Sequence, residues 1–187
     1  MSRDAIVDTS KLLSYVLRHR PGSIGLTLDP HGWADVDTLL AALTAHGRRV
    51  DRALLDRVVA DNDKRRFAFS ADGARIRASQ GHSVAIDLAL PPQAPPPVLY
   101  HGTAGRFMKS ILAQGLRAGA RRHVHLSRDV DTARWVGARH GVPVVLRVDA
   151  ARMAADGSTF YVSENGVWLT DAVAARYLTV HKDGDPD

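Results

Sequence analysis

Arg18, His19 and Arg20 stand together just before Pro21 and Gly22, in the stretch VLRHRPGSIGL. An arginine guanidinium is a planar fork that matches two phosphate oxygens at once. A histidine beside it adds a donor that can carry charge near neutral pH. Cations at a helix C-terminus also suit the helix dipole, so the cluster alone fits either a phosphate site or an ordinary helix end. A second basic run is KRRF, residues 64–67. If Phe67 and Phe69 face the core of a hairpin, the period of two points Arg66 and Ala68 to the other face. A plain basic wing is the alternative. The third run is RRHVHLS, residues 121–127. Strand alternation puts His123, His125 and Ser127 on one face with Arg121, and Val124 and Leu126 on the other. His-x-His on a strand can ligate zinc if a third ligand such as His101 joins it. The mixed Arg/His/Ser face fits an anionic ligand better. His101, Gly102 and Thr103 form HGT after a strand-like run. Glycine allows close approach to the backbone, though the tripeptide alone reads mostly as a turn.

Other chemistry is absent from the sequence. It contains no GxGxxG and no Walker A motif, so a nucleotide would not be held in a Rossmann or P-loop manner. It contains no GxSxG serine-hydrolase elbow. Cysteine is absent, which excludes disulfides and thiolate metal sites and fits a cytoplasmic setting. No apolar run is long enough for a transmembrane helix, and the start, MSRDAIVDTSKLL, lacks a signal-peptide core. Lys and Arg total 25 against 20 Asp and Glu, a net charge of +5 that favours polyanionic partners without proving one.

These residues must be positioned by a chain of 187 residues, enough for one medium domain or two small ones. The clearest boundary is LPPQAPPPV, Leu90 to Val98, whose five prolines favour a stiff, extended linker. The expected division is a first lobe over 1–90, a linker over 91–97, a second lobe over 98–182 and a frayed tail over 183–187. In the first lobe Thr9 or Ser10 is the expected helix cap, with Leu12, Leu13, Val16 and Leu17 on one apolar face and Pro21–Gly22 ending it. A turn at Pro30 and Gly32, a helix capped by Asp35 or Asp37, and a third helix carrying Leu54, Leu55, Val58 and Val59 follow. RFAFSADGARIRAS alternates around Asp72-Gly73 and predicts a hairpin. Three helices and a hairpin suggest a winged-helix-like lobe, an arrangement that often binds nucleic acid. The second lobe predicts strands at VLYHGT, HVHLS, PVVLRVDA, TFYVSE, GVWLT and RYLTV. It also predicts helices at RFMKSILAQGL and DVDTARWVGARHG, and turns at Asp156-Gly157 and Asn165-Gly166. The fold class is α+β.

SKLLSYVLRHRP, DPHGWADVDTLL, NDKRRFAFS, LYHGT, RRHVHLS, VGARHG and ENGVWLT follow in that order. Together they resemble the RNA (tRNA) 2′-phosphotransferase family from about Ser10 to Val180. The resemblance implies a winged-helix-like N-terminal lobe and an NAD⁺-binding C-terminal lobe of the ADP-ribosyltransferase type. It implies transfer of an internal RNA 2′-phosphate to NAD⁺, with RNA 2′-hydroxyl, ADP-ribose 1″,2″-cyclic phosphate and nicotinamide as products. By that resemblance the catalytic residues are Arg18, His19, Arg66 and Arg121. The NAD⁺ pocket falls on His101, Gly102, Thr103, His125, Leu126 and Ser127, with Asp131 and Arg139, and Val167 stands where many ADP-ribosyltransferases carry a glutamate. The expected partners are NAD⁺ as co-substrate and a tRNA-like RNA, with no metal and no membrane, in a monomer. A phosphate nucleophile is already anionic at pH 7, so positioning and charge dispersal by arginine would suffice without a general base. Two alternatives remain at this stage: an ADP-ribosyltransferase acting on nucleic-acid phosphates, and a non-catalytic winged-helix nucleic-acid-binding protein.

Overall fold

The structure, a computed structural model, describes residues 3–61 and 65–182. The tail expected to fray, 183–187, lies outside the described residues. The chain divides between Ala89 and Leu90 into two compact units.

The first unit opens with α1, Arg3–Arg18. Leu13, Val16 and Leu17 are fully buried, at the spacing that makes one helical stripe. The helix begins earlier than a cap at Thr9 or Ser10 would allow. Ile6 packs on the same core, and Thr9 is 7% exposed, so the buried stripe runs on towards the N-terminus through the expected cap. A 3₁₀ turn, Pro21–Ile24, follows and closes at Gly25 in the left-handed region. Strand β1, Ala34–Asp35, leads into α2, Val36–Ala45. Of the two candidate caps it is Asp35 that serves, accepting from the Thr38 N–H at 2.8 Å. That bond, with a second from the Thr38 hydroxyl, holds the Asp35 carboxyl below its ordinary value. Helix α3, Arg52–Ala60, is capped by Asp51. Strands β2, Phe67–Phe69, and β3, Arg75–Ala78, form the expected hairpin, and Asp72 ties its turn through Ser70 and the Ala74 N–H. The sheet order is β1-β3-β2, all antiparallel. The core of this unit is built from α1, α2, α3 and the inner residues Phe67, Ile76 and Ala78.

The second unit begins with the Pro-rich segment. It is not a bare connector: the Gln93 N–H donates to the Phe160 carbonyl at 2.8 Å and Pro92 bridges Tyr161. Strand β4, Val98–Ala104, runs through HGT, which is therefore strand rather than turn. Helix α4, Met108–Gln114, ends at Gly115 and leads to β5, Leu116–Arg117. Then come β6, Val124–Leu126, α5, Val130–Ala138, and β7, Pro143–Asp149. Helix α6, Ala150–Ala155, precedes β8, Tyr161–Val162, and β9, Trp168–Thr170. Strands β10, Ala172–Val173, and β11, Leu178–Val180, complete the unit. RYLTV is only partly strand, because Tyr177 belongs to a 3₁₀ turn. Two three-stranded antiparallel sheets, β11-β7-β4 and β6-β9-β8, meet at a single bridge between Tyr100 and Ser127.

Helix α5 lies directly on β4, and glycine is what permits it. A Cβ at Gly102 would fall 1.6 Å from the Ala133 carbonyl oxygen, and one at Gly137 would fall 2.6 Å from that of Thr103. Helix backbone takes the side of Gly102 on which a side chain would stand, while its N–H and C=O lie along the strand edge. Among the described residues no helix is long and apolar enough to cross a membrane.

Candidate active site

In the first unit, three residues flagged for phosphate chemistry line one cleft of about 610 Å³: Arg18, His19 and Arg66. Arg18 is the last residue of α1, and His19 follows it with its N–H on the Tyr15 carbonyl. The Arg18 Nη2 donates to the Arg66 carbonyl at 3.4 Å, which joins the helix end to the edge of the hairpin. Arg65, just before Arg66, has φ of 40°, in the left-handed region. Its carbonyl accepts from the Ser79 hydroxyl at 2.8 Å, while the Ser79 N–H donates to the Arg66 carbonyl at 2.9 Å. Those bonds fix the backbone that carries Arg66. Lys64 of the same motif lies outside the described residues.

A segment that sequence reading passed over holds this corner. The Ser83 N–H donates to the Arg18 carbonyl at 2.9 Å, and the Ser83 hydroxyl lies 3.0 Å from His19 Nδ1. Gly81, at φ +87°, leaves its side open to Arg18, whose Nη1 would sit 3.7 Å from a Cβ there. Between them His82 is buried, and its Nε2 has no hydrogen-bond partner among the described residues. The signal that could have found them was a polar Gly-His-Ser run placed directly after a strand.

Burial, with the charges of Arg18, His19 and Arg77 nearby, pushes His82 down to about 4 from 6.5. The native protein therefore binds fewer protons at this site than the unfolded chain between those two values. Stability should be full above about pH 6.5 and fall as the pH drops towards about 4. The loss should reach ~3 kcal/mol across that window. Denaturant melts of wild type and His82→Asn at pH 7.5 and 5 check this; equal pH dependence in the two proteins would contradict it.

In the second unit the bridge at Tyr100 and Ser127 is made of two backbone hydrogen bonds, 2.9 and 2.8 Å. Beyond it β4 and β6 do not continue as a ladder. The His101 Nδ1 donates to the His125 carbonyl at 3.0 Å instead. By strand alternation the Gly102 N–H and C=O point to the same side as those of Tyr100, towards this opening. Burial lowers the pKa of His101, the charge of Arg121 lowers it further, and the His125 carbonyl opposes both. A neutral His101 protonated on Nδ1 offers Nε2 as an acceptor. Arg121 Nη1 stands 3.4 Å from His125 Nδ1. The alternation expected of RRHVHLS is observed: Val124 and Leu126 are buried, and His123, His125 and Ser127 are half-buried. His123 leans towards Asp171, at 3.6 Å. Thr103 is buried in β4, and Leu126 is a core residue. Asp131 is exposed in the first turn of α5 and Arg139 caps its end, with its guanidinium 3.6 Å over the Trp135 ring. Val167 closes the β8–β9 turn through its backbone bonds to Ser163. Among the described residues no three His, Asp or Glu gather as metal ligands.

The family model for RNA 2′-phosphotransferase, Tpt1 / KptA family, matches residues 4–172. The chain belongs to this family. A probable RNA 2′-phosphotransferase of Agrobacterium fabrum is 61% identical over 96% of this chain and 96% of the relative. One from Streptomyces coelicolor is 58% identical over 95% of this chain and 97% of the relative. One from Escherichia coli O139:H28 is 55% identical over 92% and 95%. The matched span of the RNA 2′-phosphotransferase family takes in Arg18, His19, Arg66 and Arg121 as well as both strands around His101 and His125.

Proposed function

We propose that this protein removes an internal 2′-phosphate from RNA by transferring it to NAD⁺. The observation that carries the reading is the cleft on which Arg18, His19 and Arg66 converge from positions far apart in the chain. Two guanidinium forks and an imidazole are suited to a phosphate dianion. The first unit, three helices with a three-stranded wing, acts as a winged-helix-like RNA-binding lobe. The second acts as an ADP-ribosyltransferase-like lobe. Supporting its NAD⁺ site is the edge of β4: the Gly102 N–H and C=O match the acceptor and donor of a carboxamide such as that of nicotinamide. The acceptor nitrogen of His101 suits a ribose hydroxyl. Ser127, Asp131, Arg139 and Val167 complete the assignment to NAD⁺.

In the first step a phosphate oxygen attacks the ribose carbon bearing nicotinamide, the C–N bond breaks, and nicotinamide leaves with the electron pair. No proton need move, so no base is required. In the second step the ribose 2″-hydroxyl attacks phosphorus and the P–O bond to the RNA 2′-oxygen breaks. One proton is lost from the 2″-hydroxyl and one is gained by the RNA oxygen. His19, oriented through Ser83 on Nδ1, presents its other nitrogen as the donor. Arg66 and Arg121 disperse the charge that builds at phosphorus, with Arg18 holding the phosphate in both steps.

This division of labour predicts that Arg121→Ala still releases nicotinamide but slows cyclic phosphate formation by about a hundredfold or more. An ADP-ribosylated RNA should then accumulate, read by mass. If nicotinamide release stops as completely as cyclisation, Arg121 does not act mainly in the second step. Wild-type accumulation of the same species would instead support a one-step transferase.

A further inference from the structure

The cleft is larger than a phosphate needs. From the Arg18 end it continues along α1 past Tyr15, Ser14 and Lys11. These residues and Arg18 sit at i, i+3, i+4 and i+7, which puts all four on one face of the helix. Tyr15 is 50% exposed, on the face of α1 opposite the buried Leu13, Val16 and Leu17. Lys11 is exposed, its ammonium 3.5 Å from Asp8 in a solvent-facing pair that costs little to exchange for a phosphate. Among the described residues Asp61 is the one carboxylate on the cleft wall, and Arg57 engages it at 3.3 Å.

An aromatic face beside a hydroxyl and an ammonium, running on from a cluster of guanidinium groups, suits one class of ligand. Single-stranded nucleic acid presents a flat base and a backbone phosphate in alternation, and stacking with backbone neutralisation is how such strands are held without sequence readout. We propose that this extension of the cleft binds the single-stranded RNA flanking the 2′-phosphorylated nucleotide. The Tyr15 ring stacks on a neighbouring base, and Lys11 and Ser14 hold the adjoining backbone phosphate. The proposal rests on the reading of Arg18, His19 and Arg66 as the phosphate site. It adds to that site a subsite for the strand, which sets RNA affinity rather than chemistry.

The test is direct binding of a labelled single-stranded RNA of about six nucleotides, with and without one internal 2′-phosphate, followed by fluorescence anisotropy across a salt series. Tyr15→Ala should weaken binding of both RNAs about tenfold, and Tyr15→Phe should bind like wild type. Lys11→Ala should reduce the slope of log affinity against log salt by about 0.7. Tyr15 is half exposed, so unchanged thermal melts should confirm that the variants fold. Wild-type affinity and salt slope in both Tyr15→Ala and Lys11→Ala would overturn the subsite, as would failure of the wild type to bind RNA. A loss of NAD⁺ affinity in place of RNA affinity in Tyr15→Ala would overturn it too. If the binding pattern is as stated but no phosphate reaches NAD⁺, the proposed reaction falls and the strand subsite stands. If transfer proceeds and the variants bind normally, the reverse holds.

Discussion

Arg18→Ala is expected to lower 2′-phosphate transfer by about a thousandfold, roughly 4 kcal/mol of transition-state stabilisation. The side chain is half-buried at the end of α1 and tied to the Arg66 carbonyl. Its backbone carbonyl is held by the Ser83 N–H. The fork is therefore fixed before the substrate arrives, so none of its binding energy is spent on ordering a long side chain at the moment of reaction. Removing it forfeits the hydrogen bond to the Arg66 carbonyl and some packing against Gly81, a structural cost of about 1 kcal/mol. The fold should survive while the chemistry does not. Arg18→Lys keeps the charge but loses the planar, two-point match to phosphate, and should recover only a small part of the rate. Single-turnover transfer measured beside thermal melts checks both statements. Transfer within tenfold of wild type in Arg18→Ala would remove this residue from the phosphate site.

The second large effect is on stability. Gly102→Ala should destabilise the protein by about 3 kcal/mol or more, a drop in melting temperature of roughly 6–12 °C. The clash is with the Ala133 carbonyl and with the Gly137 nitrogen, 2.8 Å away, so both obstacles are backbone atoms of α5. They cannot rotate aside as a side-chain end could. Helix and strand must separate, and that would disturb Tyr100, Ala133 and Val145, which are buried together between them. Gly137→Ala should behave similarly for the reciprocal reason. A Gly102→Ala protein that melts like wild type would show that α5 can yield, and would return this glycine to a purely ligand-facing role.

The contrast between these two residues shows what the sequence could reveal. Arg18 and His19 were legible because they are adjacent, chemically distinctive and placed at a proline-glycine corner. Leu13, Val16 and Leu17 were legible from helical spacing, and the hairpin from its Asp-Gly turn. Gly102 was legible as a place of close backbone approach, but its packing against α5 was not, because those atoms belong to a helix some thirty residues downstream. Strands β1, β5 and β10 have two residues each, too short to display a period. Helix α6 has six, hidden between a long strand and a turn. In the site, the meeting of Arg66 with Arg18 came from resemblance to a family; spacing alone left Arg66 as an ordinary basic wing. His82 and Ser83 stood in the sequence only as a polar run after the hairpin, because the residues they meet, 18 and 19, are reached only through the fold.

The most direct test of the central claim uses a short RNA oligonucleotide bearing one internal 2′-phosphate, incubated with NAD⁺ and the purified protein in metal-free buffer, with all products weighed by mass spectrometry. The expected products are an RNA lighter by one phosphate and equal amounts of nicotinamide and ADP-ribose 1″,2″-cyclic phosphate. An RNA that keeps its phosphate beside a fully folded protein, or one that loses it with NAD⁺ intact, would contradict it.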